Sequence, residues 1–181
     1  LTKIGIDLQE ARFIPDNAAK IIDDVRCLSS KYDYVFTSGG IGPTHDDITA
    51  DCIAAAFETE ISIREDAFKL LENYYSEQNI DFNSARQRMA RIPNGAKLID
   101  NPISVAPGFY LNNVFVMAGV PNIFQSMVQS ILPLLLNGKP VLSKSLRIPR
   151  GEGEIAVELK KIASDHKSVS IGSYPYNNKG N

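Results

Sequence analysis

The segment that most limits what this chain can fold into runs from Tyr34 to Phe57. Tyr34-Val35-Phe36-Thr37 is a short run of β-branched and aromatic residues and reads as a strand. Ser38-Gly39-Gly40-Ile41-Gly42-Pro43-Thr44-His45-Asp46-Asp47 follows at once, and Ile48 to Phe57, rich in alanine, reads as a helix. A strand, a glycine turn and a helix in that order aim backbone N–H groups and the positive end of a helix at one point, which attracts phosphate. Gly39, Gly40 and Gly42 lack a Cβ, so the backbone can take positive φ and approach a ligand closely. Thr37 and Ser38 open the loop, Pro43 stiffens its exit, and Thr44 and Thr49 offer hydroxyls. Two carboxylates beside a phosphate, Asp46 and Asp47, make chemical sense with a divalent cation between them, most often Mg2+. A carboxylate there could also orient a water or hydroxyl for attack on phosphorus. The same pattern occurs in α/β turns without a ligand, and Asp47 would serve equally as a helix N-cap. His45 reads either as a ligand to metal or phosphate or as an exposed loop histidine. The loop lacks the Lys-Ser/Thr ending of a Walker A motif and the G-x-G-x-x-G dinucleotide fingerprint, which argues against both of those classes.

The remaining pattern alternates strands with helices and predicts an α/β layered fold. Ile4, Ile6 and Leu8 alternate at period two, which predicts a strand. Pro15 is expected to start a helix, with Asp16 as N-cap and Ala18, Ile21, Ile22, Val25 and Leu28 on its apolar face. Helices are expected over Arg64 to Gln78, Asn83 to Ala90 and Asn122 to Leu136. Leu98-Ile99 and Phe109 to Leu111 read as short extended pieces, separated by Ala106-Pro107-Gly108. Asn112-Asn113 makes a tight connection into Val114 to Met117, whose continuous apolarity suits a strand covered on both faces. Asn137-Gly138-Lys139-Pro140 reads as a domain boundary. Beyond it, Leu142 to Ile148 and Val169 to Ile171 read as extended and Glu152 to Ala163 as helical, the shape of a partial small domain.

With 181 residues and 44% hydrophobic composition, the chain can build one core and a small second lobe. A net charge of -2 gives no electrostatic footprint for nucleic acid or an anionic membrane. The longest apolar candidate, Ile131 to Leu136, is broken by Pro133 and too short to span a bilayer. Cys27 and Cys52 lack metal-type spacing and read as small buried hydrophobes in a reduced, cytoplasmic protein. His166 sits in a polar run and reads as solvated surface, and the Tyr74-Tyr75 pair reads as helix packing.

These residues resemble a known family. T-S-G-G-I-G-P-T-H-D-D-I-T-A-D from Thr37, followed by Ile53-Ala54-Ala55-Ala56-Phe57, is similar to the molybdopterin-binding fold of the MoaB/Mog type. The nearest group is the N-terminal domain of the competence/damage-inducible (CinA) proteins. Met89-Ala90, Pro93-Asn94-Gly95-Ala96, Asn101-Pro102, Ala106-Pro107-Gly108-Phe109 and Ala118-Gly119-Val120-Pro121 fall in that group's order. Gly151-Glu152-Gly153-Glu154-Ile155-Ala156 and Gly172-Ser173-Tyr174-Pro175 resemble the small domain that often follows. Ser104 stands where a glycine is common in the group, and Ala118 replaces a frequent proline.

The resemblance implies a three-layer parallel sheet with mixed edges, flanked by helices, over residues 1–138. Part of a small α+β domain is implied over 139–181. A strand carrying Gly-Asp-Glu and a first helix are expected before Leu1. It also implies a pocket for molybdopterin or an adenine nucleotide with Mg2+, at the carboxyl ends of the strands. Thr37, Ser38, Gly39, Gly40, Gly42, Thr44, Pro107, Gly108, Gly119 and Pro121 would form the ligand site. Asp46 and Asp47 would hold the metal, and Asp16 and Asp47 would be catalytic. The activity implied is making or hydrolysing a pyrophosphate bond, as in molybdopterin adenylyl transfer or ADP-ribose hydrolysis. The alternatives are a non-catalytic pterin or nucleotide-binding module and a structural member acting as a homo-oligomer, a dimer or trimer.

Overall fold

A computed structural model describes residues 1–136, 138 and 142–175. The chain divides into two compact units, Leu1–Val141 and Leu142–Asn181. In the first unit, helix α1 (Ala18–Lys31) leads to strand β1 (Val35–Ser38) and helix α2 (Thr49–Ala56). Strand β2 (Ile61–Ile63), helix α3 (Glu65–Glu77), helix α4 (Ser84–Gln87) and a single 3-10 turn (Arg88–Ala90) come next. Strands β3 (Arg91–Pro93), β4 (Lys97–Ile99), β5 (Gly108–Leu111) and β6 (Val114–Met117) precede helix α5 (Pro121–Ile131).

The main sheet has the order β1-β6-β5-β4. β1 runs parallel to β6, with Val35 opposite Val114 and Ser38 opposite Met117. β5 pairs antiparallel with both β6 and β4, and Asn112, in the left-handed region at φ 53°, makes the tight β5–β6 turn. The expected mixed sheet flanked by helices is what the chain forms. β2 and β3 form a separate antiparallel pair.

Strand alternation divides the core into two layers. Val35, Val114 and Val116 join Ile21, Val25, Ile53 and Leu71 of α1, α2 and α3 on one face. Phe115 and Met117 join Met127 and Ile131 of α5 on the other. All four residues of β6 are buried, as their unbroken apolarity predicts for a strand covered on both sides. Phe36 stacks on Phe115, and Phe115 on Tyr110, across this second face. Tyr74 meets Tyr75 edge-on and Tyr75 stacks on Phe82, so that pair is packing.

The structure departs from the sequence pattern in several places. Ile4 to Leu8 is not a strand: Thr2–Ile4 is a 3-10 turn ended by Gly5 at φ 76°, and no regular element follows before α1. Ile4 and Ile6 are used as apolar plugs against the α5 side of the core, while Leu8 is exposed. Alternation alone could not distinguish plugging from pairing. Helix α1 begins three residues after Pro15, and Asn17, not Asp16, caps it by accepting from the Lys20 N–H. Asn17 has the extended backbone a cap requires. Cys27 lies on the exposed side of α1, so only Cys52 is a buried hydrophobe. Helix α5 ends at Ile131, where Leu132–Leu134 tighten into a 3-10 turn around Pro133.

In the second unit, helix α6 (Glu152–Asp165) opens with Glu152 and Glu154, acids that suit a helix N-terminus. Leu142 to Ile148 and Val169 to Ile171, expected to be extended, form no strand among the described residues. The boundary expected at Asn137 to Pro140 lies, apart from Gly138, outside the described residues.

Candidate functional site

Because β1 and β6 are parallel, their carboxyl ends release two loops side by side. The Gly39 N–H donates to the Met117 carbonyl at 2.9 Å and holds the first loop to the end of β6. A Cβ on Gly119 would come within 3.1 Å of the Gly39 Cα, so the two loops touch backbone to backbone. Gly39 and Gly40 have φ of 98° and 71°, values that favour glycine. A Cβ on Gly40 would strike the Thr49 hydroxyl. The Thr49 N–H donates to the Gly40 carbonyl at 2.9 Å, which seats the glycine turn on the first residue of α2.

The rest of the loop folds around Asp47. The Thr44 N–H and hydroxyl both donate to Asp47 Oδ2, at 2.8 and 2.5 Å. The same carboxylate lies over Gly42, where a Cβ would be 2.7 Å from Oδ2. Partial burial pushes the Asp47 carboxyl up, but the bonds from the Thr44 hydroxyl and the Gly42 and Thr44 N–H groups outweigh it and hold it below the usual range. Asp46 is open to solvent, and the Thr44 hydroxyl is the main group lowering its carboxyl. His45 is fully exposed, 3.9 Å from Asp46. Gly40 and Ile41 donate to no other group among the described residues, and Ile48 gives α2 no side-chain cap. These amides and the open helix end are the loop's available donors.

Gly42, Asp47 and Ala50 form one wall of a shallow cleft open to solvent. Pro107, Phe109, Ile92 and Met89 line its apolar side. Pro107 is placed there by the turn from Asn101. That buried side chain donates to the Ser104 hydroxyl and the Ala106 carbonyl and accepts from the Ile103 and Ser104 N–H groups. Val105, a β-branched residue at φ 64°, is held in the left-handed region by this arrangement.

The structure brings Gly42, Asp47 and Pro107 into one cleft and Gly39 against Gly119. The other expected residues are placed differently. Asp16 is exposed at the start of α1 and does not line the cleft. Thr37 points into the α1–α2 layer, where its hydroxyl is buried without a partner among the described residues. Ser38 faces the opposite side. Gly108 is the first residue of β5, where a Cβ would strike Met127 and the Val116 carbonyl. Pro121 is exposed at the first position of α5.

Three charged residues of the cleft escaped the sequence reading. Asp51, in the first turn of α2, pairs with Arg91 through two contacts at 3.0 and 2.5 Å. Arg88 lines the same cleft, and its Nε is buried with no acceptor among the described residues. Only the fold joins α2 to the segment around Arg88, so no local spacing in the sequence points to them.

No group of three His, Cys, Asp or Glu side chains among the described residues could cage a metal. The loop offers two carboxylates, Asp47 in the cleft and Asp46 open to solvent, and Mg2+ commonly takes one or two carboxylates and completes its shell from the ligand and water.

A family model described as "Probable molybdopterin binding domain" matches residues 1–137, and one described as "FAD synthase, middle domain" matches residues 140–181. A protein of Archaeoglobus fulgidus is 31% identical over 175 residues, covering 97% of this chain and 74% of that protein. A protein of Pediococcus pentosaceus, named as competence-damage inducible, is 31% identical over 182 residues, covering 95% of this chain and 44% of that protein. The crystal structure of CinA from Thermoplasma acidophilum, titled as of unknown function, superposes with a TM-score of 0.58 at 30% identity. That likeness covers 64% of this chain and 70% of the other. With the glycine loop seated at the end of a parallel strand pair, these matches mean that the chain belongs to the molybdopterin-binding domain family, in its CinA-type branch.

Proposed function

We propose that this chain binds the phosphorylated end of a pterin or adenine nucleotide in the cleft beside the glycine loop, and with Mg2+ makes or breaks a pyrophosphate bond. The observation that carries the reading is Asp47. Its ionised carboxylate is fixed over Gly42, in a loop whose Gly40 and Ile41 N–H groups have no acceptor among the described residues. These donors and the open end of α2 would stabilise charge developing on phosphate oxygens. Mg2+, when bound by Asp46 and Asp47, would neutralise the phosphate and activate the attacking oxygen. Asp47 would then exchange its Thr44 bonds for the cation. In this reading residues 1–138 form the binding domain, and 139–181 form a small appended domain. A homo-oligomer working in a reducing, cytoplasmic setting completes it, in keeping with two free cysteines.

The test incubates the full chain with Mg2+ and, separately, ADP-ribose, FAD, or ATP plus molybdopterin, and follows products by mass. Turnover of one of these that requires Mg2+ and is lost in Asp47→Asn is the expected result. Turnover that survives Asp47→Asn and chelation of the metal would remove Asp47 from the chemistry.

A further inference from the structure

We infer that Arg88 is the receptor for a second anionic group of the ligand, and so selects ligands with two adjacent phosphoryl groups over those with one. The inference rests on the phosphate-binding reading above and assigns a role to a residue outside the glycine loop. The cleft contains two arginines in different states. Arg91 is neutralised by Asp51 through two hydrogen bonds. Arg88 makes no ion pair among the described residues, although Asp47 and Asp51 line the same cleft. Asp51 is committed to Arg91, and Asp47 is turned onto Thr44 and Gly42.

The Arg88 Nε is buried with no acceptor among the described residues. A guanidinium donor withdrawn from water and left unpaired is costly, and such groups are uncommon in folded proteins. The arrangement is economical if the acceptor arrives with the ligand. A guanidinium presents a planar fork of donors that matches phosphate oxygens in pairs. The loop amides come from the turn after β1, whereas Arg88 comes from the 3-10 turn before β3. A single phosphate on the loop leaves Arg88 unused. A diphosphate lets one phosphoryl group take the loop amides and the other take Arg88.

Inorganic phosphate and inorganic pyrophosphate, with Mg2+ present, serve as probes for calorimetric titration of the full chain. The unaltered chain is expected to bind pyrophosphate more tightly than phosphate. Arg88→Gln should weaken pyrophosphate binding on the order of tenfold, leave phosphate binding unchanged, and so erase the preference. Arg88→Lys, which keeps the charge but loses the fork, should recover part of it. If Arg88→Gln binds pyrophosphate as the unaltered chain does, the assignment is overturned while the loop reading stands. Equal loss of phosphate binding in a folded variant overturns it too, since Arg88 would then serve the first phosphate. If the unaltered chain binds neither probe, both readings fall. Should Arg88→Gln not fold, NMR of the Arg88 Nε–H in the unaltered chain decides. A shift on adding pyrophosphate but not phosphate supports the assignment, and no shift with pyrophosphate overturns it.

Discussion

Asp47 and Thr44 close the glycine loop on itself: one carboxylate oxygen of Asp47 accepts both the N–H and the hydroxyl of Thr44, at 2.8 and 2.5 Å. The Asp47 N–H returns to the Thr44 carbonyl at 3.3 Å. The residue with the best chemical position in the cleft is therefore also the residue that shapes the loop. A cation bound through Asp47, as proposed, would compete with the loop's own hydrogen bonds.

Thr44→Val removes the hydroxyl donor and leaves the backbone one. The Asp47 carboxyl should rise toward its ordinary value of 3.8, because the bond that most lowers it is gone. The stability cost should be small, about 0.5 kcal/mol, since the loop is open to solvent. A folded-state value held low contributes stability above the ordinary value and loses it as pH falls through the folded one. The variant should therefore lose less stability than the unaltered chain on acidification, as measured by urea denaturation. Under the proposed Mg2+ reading, its cation affinity should increase, because Asp47 gives up less to bind. Unchanged affinity by calorimetry would mean that Thr44 does not compete with the metal.

Gly40→Ala and Gly119→Ala should fail in different ways. At Gly40 the φ of 71° and the collision with Thr49 act together, and the loss should be about 2 kcal/mol. At Gly119 φ is ordinary, and the new Cβ meets the Gly39 backbone at 3.1 Å. That change should push the two loops apart, weakening ligand binding more than it lowers the melting temperature. Equal melting temperatures for the two variants would contradict the difference in geometry.

Asn101 organises the turn that delivers Pro107 to the cleft, and it is only 2% exposed. Asn101→Ala should cost about 3 kcal/mol, because several backbone groups lose their partner at once. Val105→Gly should behave in the opposite sense. Relief of the left-handed conformation at φ 64° is worth about 1–3 kcal/mol, and the greater freedom of glycine in the unfolded chain takes back part of it. A net gain in urea denaturation is the expected result.

Glu10 ties the irregular segment before α1 to that helix. It accepts from the Tyr32 hydroxyl at 2.7 Å and pairs with Arg12 and Lys31, while Arg12 reaches Asp24. The Tyr32 hydroxyl, followed by Arg12 and Lys31, lowers its carboxyl from 4.5 to about 2. This support is complete above the ordinary value and fails as pH falls through the folded one. Between pH 4.5 and about 2, the Tyr32 ring signals should shift as the segment loosens. Glu10→Gln should abolish that transition at unchanged overall fold.

The sequence by itself determined the elements whose signals are local. Val114 to Met117 declared a fully covered strand by being apolar without interruption, and Gly39, Gly40 and Gly42 declared a tight turn between a strand and a helix. The family could be read from those residues and from the ordered motifs after them. Tertiary structure decided what local pattern cannot encode. Ile4 and Ile6 carry a strand's alternation yet serve as plugs, because no strand among the described residues pairs with them. Asp16 and Asn17 are both competent caps, and the backbone conformation gave the role to Asn17. The partnership of Asp51 with Arg91, and Arg88 beside it with no ion pair among the described residues, depend on α2 packing against the segment that leads into β3. A sequence fixes each side chain's chemistry, but whether a charge is paired, spent on its own loop or left for a ligand depends on which distant segments the core brings together.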